Sequence, residues 1–172
     1  MKIGENKIKE YSGSSFSVTK TDGVSKIDFG DGKWIENEEY YGKVFLGDCE
    51  SCTKMAALYD GFSFDKILIG GLGLGLLPEY AKEVKNCSVI DVIEDNQELI
   101  DYVDYLESPI NIIKGDALSY TPSKKYDLIL IDLWWEENIT DEIVANLENN
   151  YKNYLEDNGK IIIPILFKSF TP

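Results

Sequence analysis

Along the second part of the chain, unbroken apolar stretches alternate with segments whose apolar residues recur every three or four positions. Ile67–Gly70, Ser88–Ile93, Ile110–Ile113, Leu128–Ile131 and Lys160–Leu166 read as strands. Leu76–Val84, Gln97–Leu106 and Thr140–Leu155 read as helices, the last with Thr140 as its N-cap and Asn158-Gly159 as its end. Runs such as Leu128-Ile-Leu-Ile131 and Ile161-Ile-Ile-Pro-Ile165 carry no polar alternation, as expected of parallel strands covered on both faces. The pattern predicts an α/β fold, a doubly wound, mostly parallel Rossmann-like sheet with right-handed crossovers.

Before Gly61 the rhythm is different. Ser14–Thr19, Ser25–Phe29 and Lys43–Leu46 are short and broken by Asp22-Gly23, Gly30-Asp31-Gly32 and Gly47-Asp48, which is the turn chemistry of β-hairpins. Cys52–Asp60 then places Met55, Ala56, Leu58 and Tyr59 on a helical period, with Gly61 positioned to stop it. The chain therefore divides into an N-terminal hairpin region with a lead-in helix, 1–60, and a Rossmann-like domain, 61–172.

Charge and cysteine usage narrow the partners. With 17 Lys and Arg against 31 Asp and Glu, the net charge of −14 repels a nucleic-acid backbone and attracts a small cationic substrate. Three cysteines cannot all pair, and Cys49-Glu-Ser-Cys52 cannot gather the four ligands of a structural zinc site in a chain without histidine, so no metal is expected. A reducing cytoplasm fits this usage. Nowhere does an apolar run reach the roughly 20 residues of a membrane helix, so no membrane partner is expected either.

The candidate chemistry lies at strand ends. Gly70-Gly71-Leu72-Gly73-Leu74-Gly75 joins a strand to a helix, where absent side chains permit a tight turn and close approach of a ligand to the backbone. Alone, such a turn serves packing as readily as binding. Glu94 stands about 20 residues further on, at the end of the next strand, where a carboxylate accepts hydrogen bonds from both hydroxyls of a ribose. Asp91 and Asp95 are the neighbouring acids to which that assignment could slip. Gly115-Asp116-Ala117 follows the third strand; an Asp there can meet the exocyclic amine of adenine while the small Ala117 leaves room for the ring. Asp132 closes the fourth strand. Any one of these acids is more simply a helix cap or a loop acid. Together they converge on the crevice where open α/β sheets bind ligands.

Lys66–Leu166 resembles the class I S-adenosylmethionine-dependent methyltransferase superfamily, and its spermidine synthase-like branch in particular, as a truncated form of that fold. The resemblance implies that Gly71, Gly73 and Gly75 hold the amino acid part of the cofactor, that Glu94 holds the ribose, and that Asp116 with Ala117 holds the adenine. It implies that Asp132, in Tyr126-Asp-Leu-Ile-Leu-Ile-Asp132, contacts the attacking amine as the catalytic residue. The donor would be S-adenosylmethionine or its decarboxylated form, and the reaction methyl or aminopropyl transfer to a small, cationic acceptor, the amine of a polyamine among them.

The chain departs from that branch at three places. Leu74 stands where spermidine synthases usually carry an Asp, and Leu133-Trp134-Trp135-Glu136 replaces a Ser or Thr followed by Asp-Pro. Soon after the fifth expected strand the sequence stops, so the antiparallel strand pair that closes a complete sheet is not expected here, and the edge would be covered by Phe167–Pro172, by the hairpins, or by a second subunit in a homodimer. Trp134 and Trp135 suit an acceptor pocket through cation–π attraction, or equally core packing; Tyr40 and Tyr41 raise the same question and are not assigned to the site. Two readings from other classes stand beside the transferase: a non-catalytic domain that binds the S-adenosyl nucleoside, and a nicotinamide-dependent dehydrogenase, against which the Asp116 site and the short chain count.

Overall fold

A computed structural model describes residues 2–3, 7–21, 24–30, 34–38, 40–41, 63–83, 85–133 and 140–163. The N-terminal region contributes β1 (Lys2–Ile3), β2 (Tyr11–Ser12), β3 (Ser17–Thr21), β4 (Val24–Asp28), β5 (Trp34–Glu38) and β6 (Tyr40–Tyr41). β2 to β5 form a four-stranded antiparallel sheet in chain order, and β1 pairs with β6. The expected strand Lys43–Leu46, the helix Cys52–Asp60, the Cys49/Cys52 pair, the domain boundary near residue 61, Trp134, Trp135, Glu136 and the tail Phe167–Pro172 lie outside the described residues.

The main sheet is built from β7 (Lys66–Gly70), β8 (Val89–Glu94), β9 (Ile110–Lys114), β10 (Tyr126–Ile131) and β11 (Leu155–Ile162), in the order β11-β10-β7-β8-β9 with every pair parallel. The lack of polar alternation has its physical cause in two cores. Ile67 and Ile69 of β7, Ile90 and Val92 of β8, and Leu128 and Leu130 of β10 face one cluster, which also holds residues of α1 (Leu76–Glu83) and Leu99 of α2 (Gln97–Tyr102). Leu68, Ile93, Ile129 and Ile131 face the other, against Val144, Leu147 and Tyr151 of α3 (Asp141–Tyr151). Helices on both sides make the sheet doubly wound, as its apolar runs predict.

Caps and turns set the helix bounds. Gly75 (φ +72°) leads into α1, and Pro78 lies in the first turn, where a missing N–H removes no helical bond. Asn96 caps α2 by accepting from the Leu99 N–H at 3.2 Å, and Thr140 caps α3 by accepting from Ile143 at 3.3 Å. α2 ends at Tyr102, short of the expected Leu106.

Asn158-Gly159 does not end the α3 helix. After Tyr151 one turn of 3-10 helix, Lys152–Tyr154, runs straight into β11 at Leu155. Tyr126 pairs with Leu155 but Leu128 with Lys160, so the residues between Leu155 and Lys160 are looped out of register as an irregularity in the strand. A side chain at position 159 would press on the Tyr126 carbonyl oxygen and on the backbone of Glu156. The glycine is thus needed for close approach within a strand rather than for a helix stop.

The antiparallel sheet packs on the α1 and α2 side. Ile8, Phe16, Val18 and Ile27 belong to the same core cluster as Leu72, Leu76 and Tyr80. Phe16 stacks on Tyr11 at 4.9 Å and meets Tyr102 of α2 edge-on at 5.6 Å, contacts worth about 0.5 to 1.5 kcal/mol each beyond burial. Lys7 adds an ion pair to Glu79 of α1, whose side chain is 5% exposed, at 3.1 Å. None of the described helices is long and apolar enough to cross a membrane.

Candidate functional site

At the carboxyl end of β7 the chain turns through three glycines with positive φ: Gly71 (+99°), Gly73 (+52°) and Gly75 (+72°). Their constraints differ. A Cβ on Gly71 would collide with the backbone carbonyl oxygen of Asp132, and one on Gly75 would press at 3.0 to 3.1 Å on Val103 and Leu106. A Cβ on Gly73 would meet nothing within 4 Å. Gly71 and Gly75 are therefore dictated by packing, while Gly73 borders open space. Leu72 and Leu74 between them are buried in the core, and the Leu74 carbonyl accepts from the Tyr105 hydroxyl at 2.7 Å.

The turn is tied to the ends of its two neighbouring strands. Gly71 N–H donates to the Ile93 carbonyl at 2.9 Å, and Asp132 N–H donates to the Gly70 carbonyl at 2.8 Å. Glu94, the last residue of β8, reaches across with its side chain: Oε2 accepts from the Leu72 N–H at 3.0 Å and Oε1 from the Asn96 N–H at 2.8 Å. Burial pushes its pKa up, those two backbone donors oppose the rise, and the adjoining Asp95 carboxyl adds to it.

The alternatives to Glu94 separate clearly. Asp91 points into the second core, 2% exposed, accepting from Tyr126 Oη at 2.6 Å and Asn111 Nδ2 at 3.0 Å and pairing with Lys124 Nζ at 2.8 Å. Burial alone would raise its pKa; the Lys124, Tyr126 and Asn111 contacts outweigh it and hold the group below the ordinary carboxyl value. Asp95 is exposed and makes no bond to the turn among those described.

Asp116 and Ala117 follow β9. The Gly115 N–H donates to the Glu94 carbonyl at 3.0 Å, which brings this loop beside the end of β8. Asp116 is exposed, and its carboxylate accepts from its own loop, the Leu118 N–H at 2.9 Å and Ser119 Oγ at 3.0 Å. Ala117 is buried in the second core, where a Cβ on Gly70 would stand 3.0 Å from its own. Ala117 thus packs beneath the glycine turn, against the bare face of Gly70, rather than beside an open ligand space. Asp132, 8% exposed, stands at the end of β10 with its backbone clasped to the turn. Gly71, Gly73, Gly75, Glu94, Asp116, Ala117 and Asp132 thus gather at one end of one sheet. Among the described residues no three His, Cys, Asp or Glu side chains group as a metal site.

Reading the sequence missed the groups around Glu98. This acid of the first turn of α2 accepts from Tyr11 Oη at 2.9 Å, Ser14 N–H at 2.7 Å, Ser14 Oγ at 2.6 Å, Ser15 N–H at 3.0 Å and Ser15 Oγ at 2.9 Å. These bonds pull its pKa down to about 2. Ser14 and Ser15 are the turn between β2 and β3, not the strand start expected of them. Gly13-Ser14-Ser15 carries a turn signature that could have flagged this.

No family model and no curated protein matches the sequence. Solved structures do match its fold. The plantazolicin methyltransferase BpumL in complex with SAH is 25% identical, with a TM-score of 0.51 over 66% of this chain and 44% of that one. The glycopeptide N-methyltransferase MtfA complexed with S-adenosyl-L-homocysteine is 16% identical, TM-score 0.53, over 70% and 53%. An S-adenosylmethionine-dependent methyltransferase from Clostridium acetobutylicum ATCC 824 is 18% identical, TM-score 0.50, over 64% and 46%. The fold's structural neighbours are thus S-adenosylmethionine-dependent methyltransferases, and the matched part is about half the length of each.

Proposed function

We propose that this chain binds an S-adenosyl nucleoside at the β7, β8 and β10 strand ends and transfers a methyl group from S-adenosylmethionine to a small amine. The observation that carries the reading is the Glu94 carboxylate. An ionised carboxylate has about four acceptor sites. The Leu72 and Asn96 N–H groups use two of Glu94's, one on each oxygen, so each oxygen keeps capacity for one hydroxyl of a ribose. The open space over Gly73 suits the amino acid end of the same ligand, and the exposed Asp116 carboxylate in the loop after β9 suits the exocyclic amine of adenine, while Ala117 lies in the core. The BpumL neighbour holds SAH on this fold.

In the transfer, the amine lone pair forms the new N–C bond as the S–C bond breaks and its electron pair returns to the sulfonium, leaving neutral S-adenosylhomocysteine. The nitrogen gives up one proton. Asp132 is assigned to orient the amine and take that proton; alignment of nitrogen, carbon and sulfur supplies much of the rate. Net negative charge favours an acceptor that carries a positive charge elsewhere in the molecule, beside the neutral attacking amine.

Aminopropyl transfer from decarboxylated S-adenosylmethionine is the second reading, favoured by Asp132 at the end of β10. Leu74 weighs against it: its side chain lies in the core, where the corresponding Asp of spermidine synthases would serve an amine. The two are separated by supplying each donor with a panel of amines and measuring the nucleoside released. Methyl transfer yields S-adenosylhomocysteine, aminopropyl transfer methylthioadenosine. Asp132→Asn should lose turnover and keep nucleoside affinity; unchanged turnover removes Asp132 from the mechanism. Nucleoside binding without product from any amine favours the non-catalytic reading.

A further inference from the structure

The N-terminal hairpin reaches the candidate ribose carboxylate through a continuous set of hydrogen bonds. Glu94 Oε1 is held by the Asn96 N–H at 2.8 Å. The Asn96 side chain is fixed on both sides: Oδ1 accepts from the Leu99 N–H at 3.2 Å, and Nδ2 donates to Ser15 Oγ at 3.0 Å. Ser15 Oγ lies 2.9 Å from Glu98 Oε2 and 3.3 Å from Asn96 Oδ1. A hydroxyl has one proton, and the charged, nearer carboxylate takes it. Ser15 therefore accepts from Asn96 and donates to Glu98, joining the loop after β8 to the hairpin turn.

Glu98 anchors the far end of this chain of contacts through its five donors from Tyr11, Ser14 and Ser15. A side chain at position 13 would displace the Glu98 carboxylate and the Tyr11 ring from this set. An acid serving only the α2 dipole would not need a partner element shaped around it.

We infer that the hairpin turn Gly13–Ser15 belongs to the ribose-recognition apparatus, with Ser15 and Glu98 as positioning residues that hold Asn96 and, through its N–H, the Glu94 carboxylate. The inference rests on the ribose role proposed for Glu94. It assigns the antiparallel sheet a function beyond covering the core: undocking the hairpin turn releases one of the two N–H groups that orient Glu94.

The test is a thermodynamic cycle by calorimetry, with S-adenosylhomocysteine and its 2′,3′-dideoxy analogue as probes on the full chain. Ser15 is exposed, so Ser15→Ala should fold, and it removes the link between Asn96 and Glu98. Weakening of S-adenosylhomocysteine by about fivefold, the scale of one hydrogen bond, with unchanged affinity for the dideoxy analogue is the expected result. Ser15→Thr, which keeps the hydroxyl, should restore wild-type affinity, and Glu98→Gln should behave as Ser15→Ala does. Equal weakening of both probes would assign the contacts to general stability and overturn the inference, as would no weakening at all. Failure of the wild-type chain to bind S-adenosylhomocysteine would overturn the proposed function and this inference with it. Wild-type binding that does not distinguish the two probes would remove the ribose role of Glu94, and this inference with it, while leaving nucleoside binding in place.

Discussion

Alanine at Gly71 should act mainly on stability and alanine at Gly73 mainly on binding, although the two glycines share one turn. At Gly71, φ of +99° lies beyond the left-handed well, and such strain costs a side chain about 1 to 3 kcal/mol. The added methyl also runs into the Asp132 carbonyl, which cannot retreat without stretching the Asp132 N–H bond to Gly70, worth about 1 kcal/mol. The sum is about 3 kcal/mol, or about 6 to 12 °C in melting temperature for a chain of this size. At Gly73, φ of +52° is ordinary left-handed geometry costing about 1 kcal/mol, about 2 to 4 °C, and the methyl meets no protein atom. Its effect should fall on binding instead, weakening S-adenosylhomocysteine about tenfold, the scale of forcing an extra methyl into a filled site. Thermal melts and calorimetric titration of both variants read the two effects separately. Equal destabilisation by the two substitutions, or Gly71→Ala melting within about 2 °C of wild type, would refute the packing argument.

Other groups give sharp expectations. Tyr126→Phe removes a 2.6 Å donor from the buried Asp91 and should cost about 2 kcal/mol in urea unfolding, as hydrogen bonds to charged groups do. The folded-state pKa of Glu98 lies below its ordinary 4.5, at about 2, so its contribution to stability is complete above pH 4.5 and lost as pH falls toward 2. Melting temperature against pH should therefore fall less steeply across that window in Glu98→Gln than in wild type. Glu94 has a raised pKa, so affinity for S-adenosylhomocysteine should begin to fall at a pH above 4.5 as the carboxylate is protonated; a flat profile down to that value removes it from binding. Burial pushes the Cys87 thiol up to about 12, and peptide mapping after native alkylation should find it unmodified.

What was legible beforehand follows from how each signal arises. The strands β7, β8 and β10 announced themselves because burial on both faces leaves no polar alternation, and Thr140 because its cap is local in sequence. The ribose candidate was legible as an acid at a strand end, but only the fold separates Glu94, which touches the turn, from Asp91, which turns into the core. Two expectations failed, Gly159 as a helix stop and Ser14 as the start of a strand. Gly159 is fixed by the Tyr126 carbonyl and Ser14 by Glu98, contacts across more than 30 residues that no local pattern encodes, although Gly13-Ser14-Ser15 does carry a turn signature. Ala117 likewise fits a binding loop by its place in the chain, while its burial against Gly70 appears only when β7 and β9 lie in one sheet.

The central claim is that the β7, β8 and β10 strand ends bind an S-adenosyl nucleoside through Glu94. Calorimetric titration of the chain and of Glu94→Ala with S-adenosylmethionine, S-adenosylhomocysteine, decarboxylated S-adenosylmethionine and NAD tests it directly. Saturable binding of the S-adenosyl compounds, preferred over NAD and lost in the variant, is the predicted result. No binding of any S-adenosyl compound, a preference for NAD, or binding untouched in Glu94→Ala would contradict it.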